Sequence, residues 1–287
     1  MRTRQADLPL VNDMASAREL LDWAAQQLLA TSENPELDSQ LLLSEATGLT
    51  RTQVRFADAI TNGQADEFRQ WIARRKNSEP IQYITGRSYF RTLTLHVGPG
   101  VLIPRPESEL LVELVLERVE NPGVVKVLDI GAGSGALAIA IASELSGASV
   151  TALEKDALAL EWLQKNVIAL NTNIEVLHLD VIDFSRPGHF DVVIANPPYI
   201  PNTHSLPHEV SAFEPHGALF GGTSGLEIPM LFVEAAARSL KSGGLLAIEH
   251  HEEQGEQIRE ILGESFTKIE LHYDLNKRPR FSSGVRK

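Results

Sequence analysis

Apolar positions in the first quarter of the chain recur at helical spacing. Leu20, Leu21, Ala24, Ala25, Leu28 and Leu29 share one side of residues 14–30. Residues 35–48 repeat the pattern, with Leu37, Leu41, Leu42 and Leu43 inward and Gly48 placed as a C-terminal cap. A third amphipathic segment, 64–76, turns Phe68, Trp71 and Ile72 inward and is expected to hold Arg69, Arg74, Arg75 and Lys76 on a solvated face. Residues 1–80 therefore predict a small helical bundle. From Pro80 the period shortens: Tyr83–Gly86 and Leu93–Val97 alternate as the arms of a β-hairpin, and 81–105 reads as a connector. A helix is expected from the Pro106–Ser108 region to about Glu120.

Beyond Val125, short β-branched runs alternate with longer amphipathic ones. Strands are predicted at 125–130, 149–154, 174–179, 190–195 and 243–249, and helices at 135–145, 156–170, 226–241 and 253–263. Two further strands, near 266–273 and 280–285, end the chain. Such alternation predicts an α/β class: a doubly wound, mostly parallel, seven-stranded sheet over 106–287, preceded by the N-terminal helical bundle. No internal repeat or low-complexity tract interrupts it.

Composition narrows the possible chemistry. At 287 residues, 43% hydrophobic and 22% charged, the chain has the make-up of a globular protein with room for two domains. It has no cysteine, which removes disulfides, thiolate metal sites and a thiol nucleophile, and is compatible with a reducing cytoplasm, the compartment expected. Met1 to Asp13 has no apolar stretch or small-residue cleavage pattern, so no signal peptide is expected, and no apolar run is long enough to predict a membrane span. The net charge of −12 counts against a nucleic-acid substrate gripped through its phosphates and suits a protein or small-molecule partner.

The candidate chemistry lies at the ends of the predicted strands, where open α/β sheets bind ligands. Asp129-Ile130-Gly131-Ala132-Gly133-Ser134-Gly135 runs from a strand through a glycine turn into a helix N-terminus, with G-x-G-x-G spacing and not the dinucleotide G-x-G-x-x-G. A tight structural turn would read the same way in isolation. Glu154 ends the next strand, 23 residues after Gly131, where an acid accepts both hydroxyls of a ribose. NAD and S-adenosylmethionine share that ribose. Asp180-Val181 follows the third strand and offers an acid and an apolar face to a purine, although Asp is also a common turn residue.

Asn196-Pro197-Pro198-Tyr199 follows the run 190–195. The prolines stop the sheet ladder. An Asn carbonyl and a nearby backbone carbonyl then accept from a planar –NH2 group, with the Tyr ring against its plane. A Pro-rich loop with a packing Tyr gives the same letters, but the nucleoside site one strand away points to methyl transfer from S-adenosylmethionine onto a planar nitrogen. His250-His251 lacks metal-ligand spacing and is expected in a loop, and His204, His208 and His216 are expected at the surface or in a lid; no metal is predicted. Glu214 is placed to brace the long segment 200–225, which is expected to line the substrate mouth.

Nearly end to end, the chain resembles the peptide chain release factor glutamine N5-methyltransferases. The matching stretches are Leu128–Gly135, the connector Ile103-Pro104-Arg105-Pro106-Glu107-Ser108-Glu109, Asn196–Tyr199, Phe213-Glu214-Pro215, Gly221-Gly222 with Gly225-Leu226, Gly243-Gly244 and Tyr83–Gly86. The resemblance implies a methyltransferase sheet and, as cofactor, S-adenosylmethionine. It implies an acceptor glutamine in the Gly-Gly-Gln loop of class I release factors. Asp129, Gly131, Ala132, Gly133, Ser134, Gly135, Glu154, Asp180, Val181 and Asn196 would contact the cofactor. Asn196, Pro197, Pro198 and Tyr199 would hold the acceptor, with Asn196, Pro197 and Tyr199 catalytic, and the N-terminal helices would help recognise the release factor. A monomer is expected. Three positions depart from the pattern: Val181 stands where some members carry Trp, Ser108 where Thr is common, and Asn276-Lys277 where a small Ala-Gly pair is found. Methylation of a ribosomal-protein glutamine and amino-methylation of DNA or RNA are the competing activities. A non-catalytic binding protein leaves the intact motifs without a task, and an NAD dehydrogenase leaves the Asn-Pro-Pro-Tyr turn unexplained.

Overall fold

The computed structural model describes residues 16–57, 59–119 and 123–287. The Met1–Asp13 segment, the first residues of the helix expected from 14, and Glu120 lie outside the described residues. The chain divides into two compact units between Thr85 and Gly86.

The first unit is helical because each segment is capped by its own sequence. Helix α1 (Ala17–Leu28) starts at a capping box formed by Ser16 and Glu19. Helix α2 (Pro35–Thr47) starts at Asn34, whose side chain accepts the Leu37 N–H, and ends at Gly48, with φ +71°. A single turn, α3 (Arg51–Val54), precedes α4 (Asn62–Arg75), which has its own Thr61/Gln64 capping box. Leu20, Leu28, Leu42, Phe68 and Ile72 meet in one core.

Two expectations fail in this unit. Tyr83-Ile84-Thr85 is no hairpin arm but part of a short helix, α5 (Ile81–Thr85). The Pro80 carbonyl accepts the N–H groups of both Tyr83 and Ile84 at 3.0 Å, and Ile84 packs into the helical core. Nor is the basic end of α4 solvated throughout: Lys76 is exposed, but Arg75 is buried. Arg75 is 7% exposed and places Nε 2.7 Å from the Asp38 carboxylate on α2. Arg74 clasps Glu79 and donates to the carbonyls of Tyr83 and Ile84.

The second unit opens with the hairpin β1 (Arg87–Phe90) and β2 (Leu93–His96), which turns at Arg91 with φ +54°. The Arg91 N–H donates to Glu109 at 2.8 Å and its guanidinium to Glu144 at 2.6 Å, which holds that backbone. A 3-10 turn at Pro106–Ser108 leads into α6 (Glu109–Arg118). There follow β3 (Val125–Ile130), α7 (Ala136–Glu144), β4 (Ala148–Glu154), α8 (Ala157–Ala169), β5 (Ile174–His178) and β6 (Phe190–Ala195). Segment 200–225 is not structureless: it holds β7 (Ile200–Pro201), α9 (His208–Phe213), a 3-10 turn at His216–Ala218 and β8 (Phe220–Gly222), with β7 and β8 paired. The chain ends with α10 (Glu227–Ser239), β9 (Leu240–Glu249), α11 (Gly255–Gly263), β10 (Phe266–Tyr273) and β11 (Pro279–Arg286). The last two strands turn at Lys277, whose φ of +62° is the backbone region a glycine enters freely.

The seven-stranded sheet has the order β10-β11-β9-β6-β3-β4-β5. Only β11 runs against the rest. Its central strands are buried on both faces, which explains their continuous apolar runs. Val125 and Val127 of β3 join one core, Leu128 and Ile130 the other. From β3 the chain steps outward to β4 and β5, then returns to β6 on the other side of β3. That reversal opens a crevice at the C-terminal ends of β3 and β6.

Candidate functional site

A cavity of about 400 Å³ occupies this crevice. On the β3 side it is lined by Gly131, Ala132, Gly133 and Ser134 of the glycine turn, and on the β4 side by Glu154, Lys155 and Asp156. Asp180 and Val181 close it beyond β5, and Asn196 and Pro198 enter from the end of β6. Gly131, Gly133 and Gly135 all have positive φ, which bends the chain sharply from β3 into α7. Gly135 does not line the cavity. A methyl there would meet Leu163 at 2.6 Å, so this glycine serves close packing of α7.

Three acids differ in setting. Asp129 is fully buried beneath the turn, does not line the cavity, and accepts the Ala138 N–H through Oδ2 at 3.0 Å. Its Oδ1 has no hydrogen-bond partner among the described residues. Burial pushes this carboxyl up to about 7; the Ala138 N–H works against the rise and the charge of Glu154 adds to it. Glu154 holds the turn directly, with Oε2 accepting the Gly133 N–H and Oε1 the Asp156 N–H, both at 2.8 Å. Asp180 lies 3.5 Å from Lys155.

The turn after β6 is fixed from several sides. Asn196 Nδ2 donates to Ser108 Oγ at 3.0 Å, and Ser108 Oγ donates to Glu249 Oε2 at 2.6 Å. Tyr199 Oη donates to the other oxygen of Glu249 at 3.1 Å. Burial and the adjacent Glu249 charge push the Tyr199 hydroxyl far up, so it remains a donor. Burial also raises Glu249, against the pull of the Ser108 and Tyr199 hydroxyls and of Arg280. Pro197 and Tyr199 do not line the cavity.

Segment 200–225 packs back on the same turn. A methyl at Gly221 would lie 2.5 Å from the Pro198 carbonyl oxygen, and one at Gly225 would strike the Tyr199 carbonyl oxygen. Gln254 Nε2 donates to that Tyr199 carbonyl at 3.0 Å. Pro215, Gly217, Ala218 and Phe220 of the segment line the cavity. Glu214 braces it, accepting the Ile103 N–H at 3.1 Å and the Arg105 guanidinium at 2.6 Å. His250 follows β9, as expected of a loop position, but is fully buried and hydrogen-bonded to Ser282. Among the described residues no His, Asp or Glu cluster is placed to hold a metal ion.

Sequence reasoning gave Ser108 and Glu249 no part in the site. For Glu249 a signal was present: an acid ending an apolar strand, the same signal that marked Glu154.

The sheet order, the glycine turn and the acid at the next strand end define an S-adenosylmethionine-dependent methyltransferase. The fold is shared with two solved structures. One is the Thermus thermophilus 16S rRNA N2 G1207 methyltransferase in complex with AdoMet and guanosine, with a TM-score of 0.52 at 24% identity over 70% of this chain and 50% of that one. The other is a Pyrococcus furiosus methyltransferase, with a TM-score of 0.52 at 22% identity over 76% and 97%. Family models match residues 19–86 as PrmC N-terminal domain and 106–213 as methyltransferase small domain. The release factor glutamine methyltransferase of Bifidobacterium longum is 39% identical over 84% of this chain and 89% of its own length. That of Mycolicibacterium smegmatis is 36% identical over 95% and 99%. The chain belongs to the release factor glutamine methyltransferase family.

Proposed function

We propose that this chain methylates the side-chain nitrogen N5 of the glutamine in the Gly-Gly-Gln loop of class I release factors. The observation that carries the reading is that Asn196 lines the same cavity as the glycine turn and Glu154. One ligand in that cavity reaches both a nucleoside cradle and an amide-gripping turn.

S-adenosylmethionine fits the groups present, and when bound it supplies a methyl on a sulfonium, so that an N–C bond forms as the S–C bond breaks. Glu154 would accept from the ribose, Asp180 and Val181 would hold the purine, and the turn 131–134 would border the rest of the cofactor. Asp129 stands under the turn with an oxygen still unpaired, suited to a cationic neighbour. Val181 is 6% exposed and supplies an apolar wall where an aromatic ring would stack.

An amide nitrogen is a poor nucleophile because its lone pair is delocalised. The protein's task is therefore alignment, which can remove about 7–11 kcal/mol of barrier in favourable cases. Asn196 Oδ1 and the Pro197 carbonyl accept the two N–H bonds of the acceptor, and Tyr199 closes the slot. Those bonds strengthen as positive charge grows on nitrogen. The proton then leaves to water, and no side chain is needed as a base. The helical unit that ends at Thr85 recognises the release factor, the hairpin-bearing stretch 86–105 connects, and 106–287 carries the chemistry. A monomer suffices, because every residue named belongs to one chain. The net charge of −12 argues against polynucleotide as acceptor. The reaction belongs to the cytoplasm, where translation terminates.

The test is methyl transfer from labelled S-adenosylmethionine to purified class I release factor, with the loop Gln→Ala factor as control. Label on the native factor and none on the control supports the reading. Label on a ribosomal protein or RNA instead overturns it. Asn196→Ala is expected to abolish most turnover while cofactor affinity is nearly kept; turnover within a few-fold of wild type overturns the alignment mechanism.

A further inference from the structure

The Asn196 amide has two faces of nearly equal shape and opposite chemistry. One accepts a hydrogen bond and the other donates. Presented with its NH2, Asn196 would turn donors toward the –NH2 of an acceptor glutamine, and the two would repel. Presented with Oδ1, it grips. Something must choose between these two orientations.

We propose that Ser108 and Glu249 are positioning residues that make this choice, so that Asn196 always offers Oδ1 to the acceptor. The proposal rests on the reaction proposed above. Ser108 is 4% exposed and Glu249 2%, so neither exchanges partners freely with water. A serine hydroxyl has one proton. Here it is committed to Glu249 Oε2, 2.6 Å away. Toward Asn196, 3.0 Å away, Ser108 Oγ is left only a lone pair, and only the NH2 of the amide satisfies that. Oδ1 then lies on the opposite side of the amide. Glu249 cannot rotate to release Ser108, because its other oxygen accepts from Tyr199 at 3.1 Å. The chain Tyr199–Glu249–Ser108–Asn196 thus begins and ends in the same four-residue turn and passes through α6's entry turn and the end of β9. A second consequence is selectivity: a glutamate in the acceptor position offers only lone pairs to Oδ1 and is rejected, whereas a primary amide is held.

The test uses the full-length chain, release factor and labelled S-adenosylmethionine, with kcat, KM for the release factor, cofactor Kd and melting temperature measured for each variant. Ser108→Ala is expected to lower kcat about tenfold or more, with KM and cofactor Kd within about twofold. Ser108→Thr, which keeps the hydroxyl, should restore kcat to within about threefold of wild type. Glu249→Gln can offer an NH2 to Ser108, freeing the serine proton to turn toward Asn196, so it should lower kcat in the same way. Because Glu249 acts through Ser108, adding Ser108→Ala to Glu249→Gln should cost less than about twofold more. If Ser108→Ala fails to fold, the Glu249→Gln and Ser108→Thr pair reads the same relay. Wild-type kcat in Ser108→Ala or Glu249→Gln, fully additive losses, or a loss confined to cofactor affinity overturns the relay and leaves the reaction standing. Absence of turnover by the wild-type chain overturns the reaction itself, and the relay with it.

Discussion

Asp129 shows what burial does to a single side chain. Enclosed beneath the glycine turn with one oxygen unpaired, its carboxyl titrates near 7, far above the ordinary aspartate value. The direction of the linkage follows. Below about pH 4 the group is protonated in folded and unfolded chains alike, and its contribution to stability is fully present. As pH rises toward about 7 the unfolded chain releases the proton first, so that contribution is lost. Asp129→Asn keeps an acceptor for the Ala138 N–H but has no proton to lose. Melting curves without cofactor should therefore show wild type losing several degrees relative to the variant between about pH 4.5 and 7.5. Parallel profiles would mean that Asp129 is solvated or paired in solution.

At the scale of elements, the turn after β6 depends on the segment that packs on it. Gly225 has φ +79° and its missing side chain leaves room for the Tyr199 carbonyl, whereas Gly243 has φ +83° with nothing within 4 Å of where a Cβ would stand. Gly243→Ala should cost only backbone strain, on the order of 1 kcal/mol in denaturant unfolding. Gly225→Ala adds a collision with the turn after β6, so it should cost about 2–3 kcal/mol and, on the proposed mechanism, lower turnover more than cofactor affinity. Equal losses in the two variants would show that the segment yields without disturbing Tyr199. The same elements show what a sequence does and does not disclose. Strands β3, β4 and β6 were legible because strands buried on both faces are dominated by apolar residues, and Glu154 and Asn196 stood out as polar groups ending such runs. Helix α5 was not, since four or five residues fit either period and only the packing of Ile84 decides. The Arg75–Asp38 pair joins residues 37 apart, and Ser108–Glu249 joins residues 141 apart; no local pattern carries either.

For the whole molecule, the division at Thr85 and Gly86 separates two tasks that the proposed function needs. Among the described residues, those lining the cavity and those in both cores flanking the sheet lie at Phe90 or beyond. A fragment spanning Gly86–Lys287 should therefore fold and bind S-adenosylmethionine with a Kd within about threefold of the full chain, measured by calorimetry. The first unit keeps its own core, closed by the buried Arg75–Asp38 pair. Its expected contribution is to substrate capture. With intact release factor the fragment should show a KM raised about tenfold or more, about 1.4 kcal/mol of lost recognition, while kcat at saturation stays within a few-fold. That split is diagnostic, because binding energy spent on docking appears in KM and energy spent on aligning the glutamine appears in kcat. A fragment with both KM and kcat unchanged would assign recognition to the second unit alone. A fragment with unchanged KM but lowered kcat would mean that the helices act on the alignment of the acceptor amide.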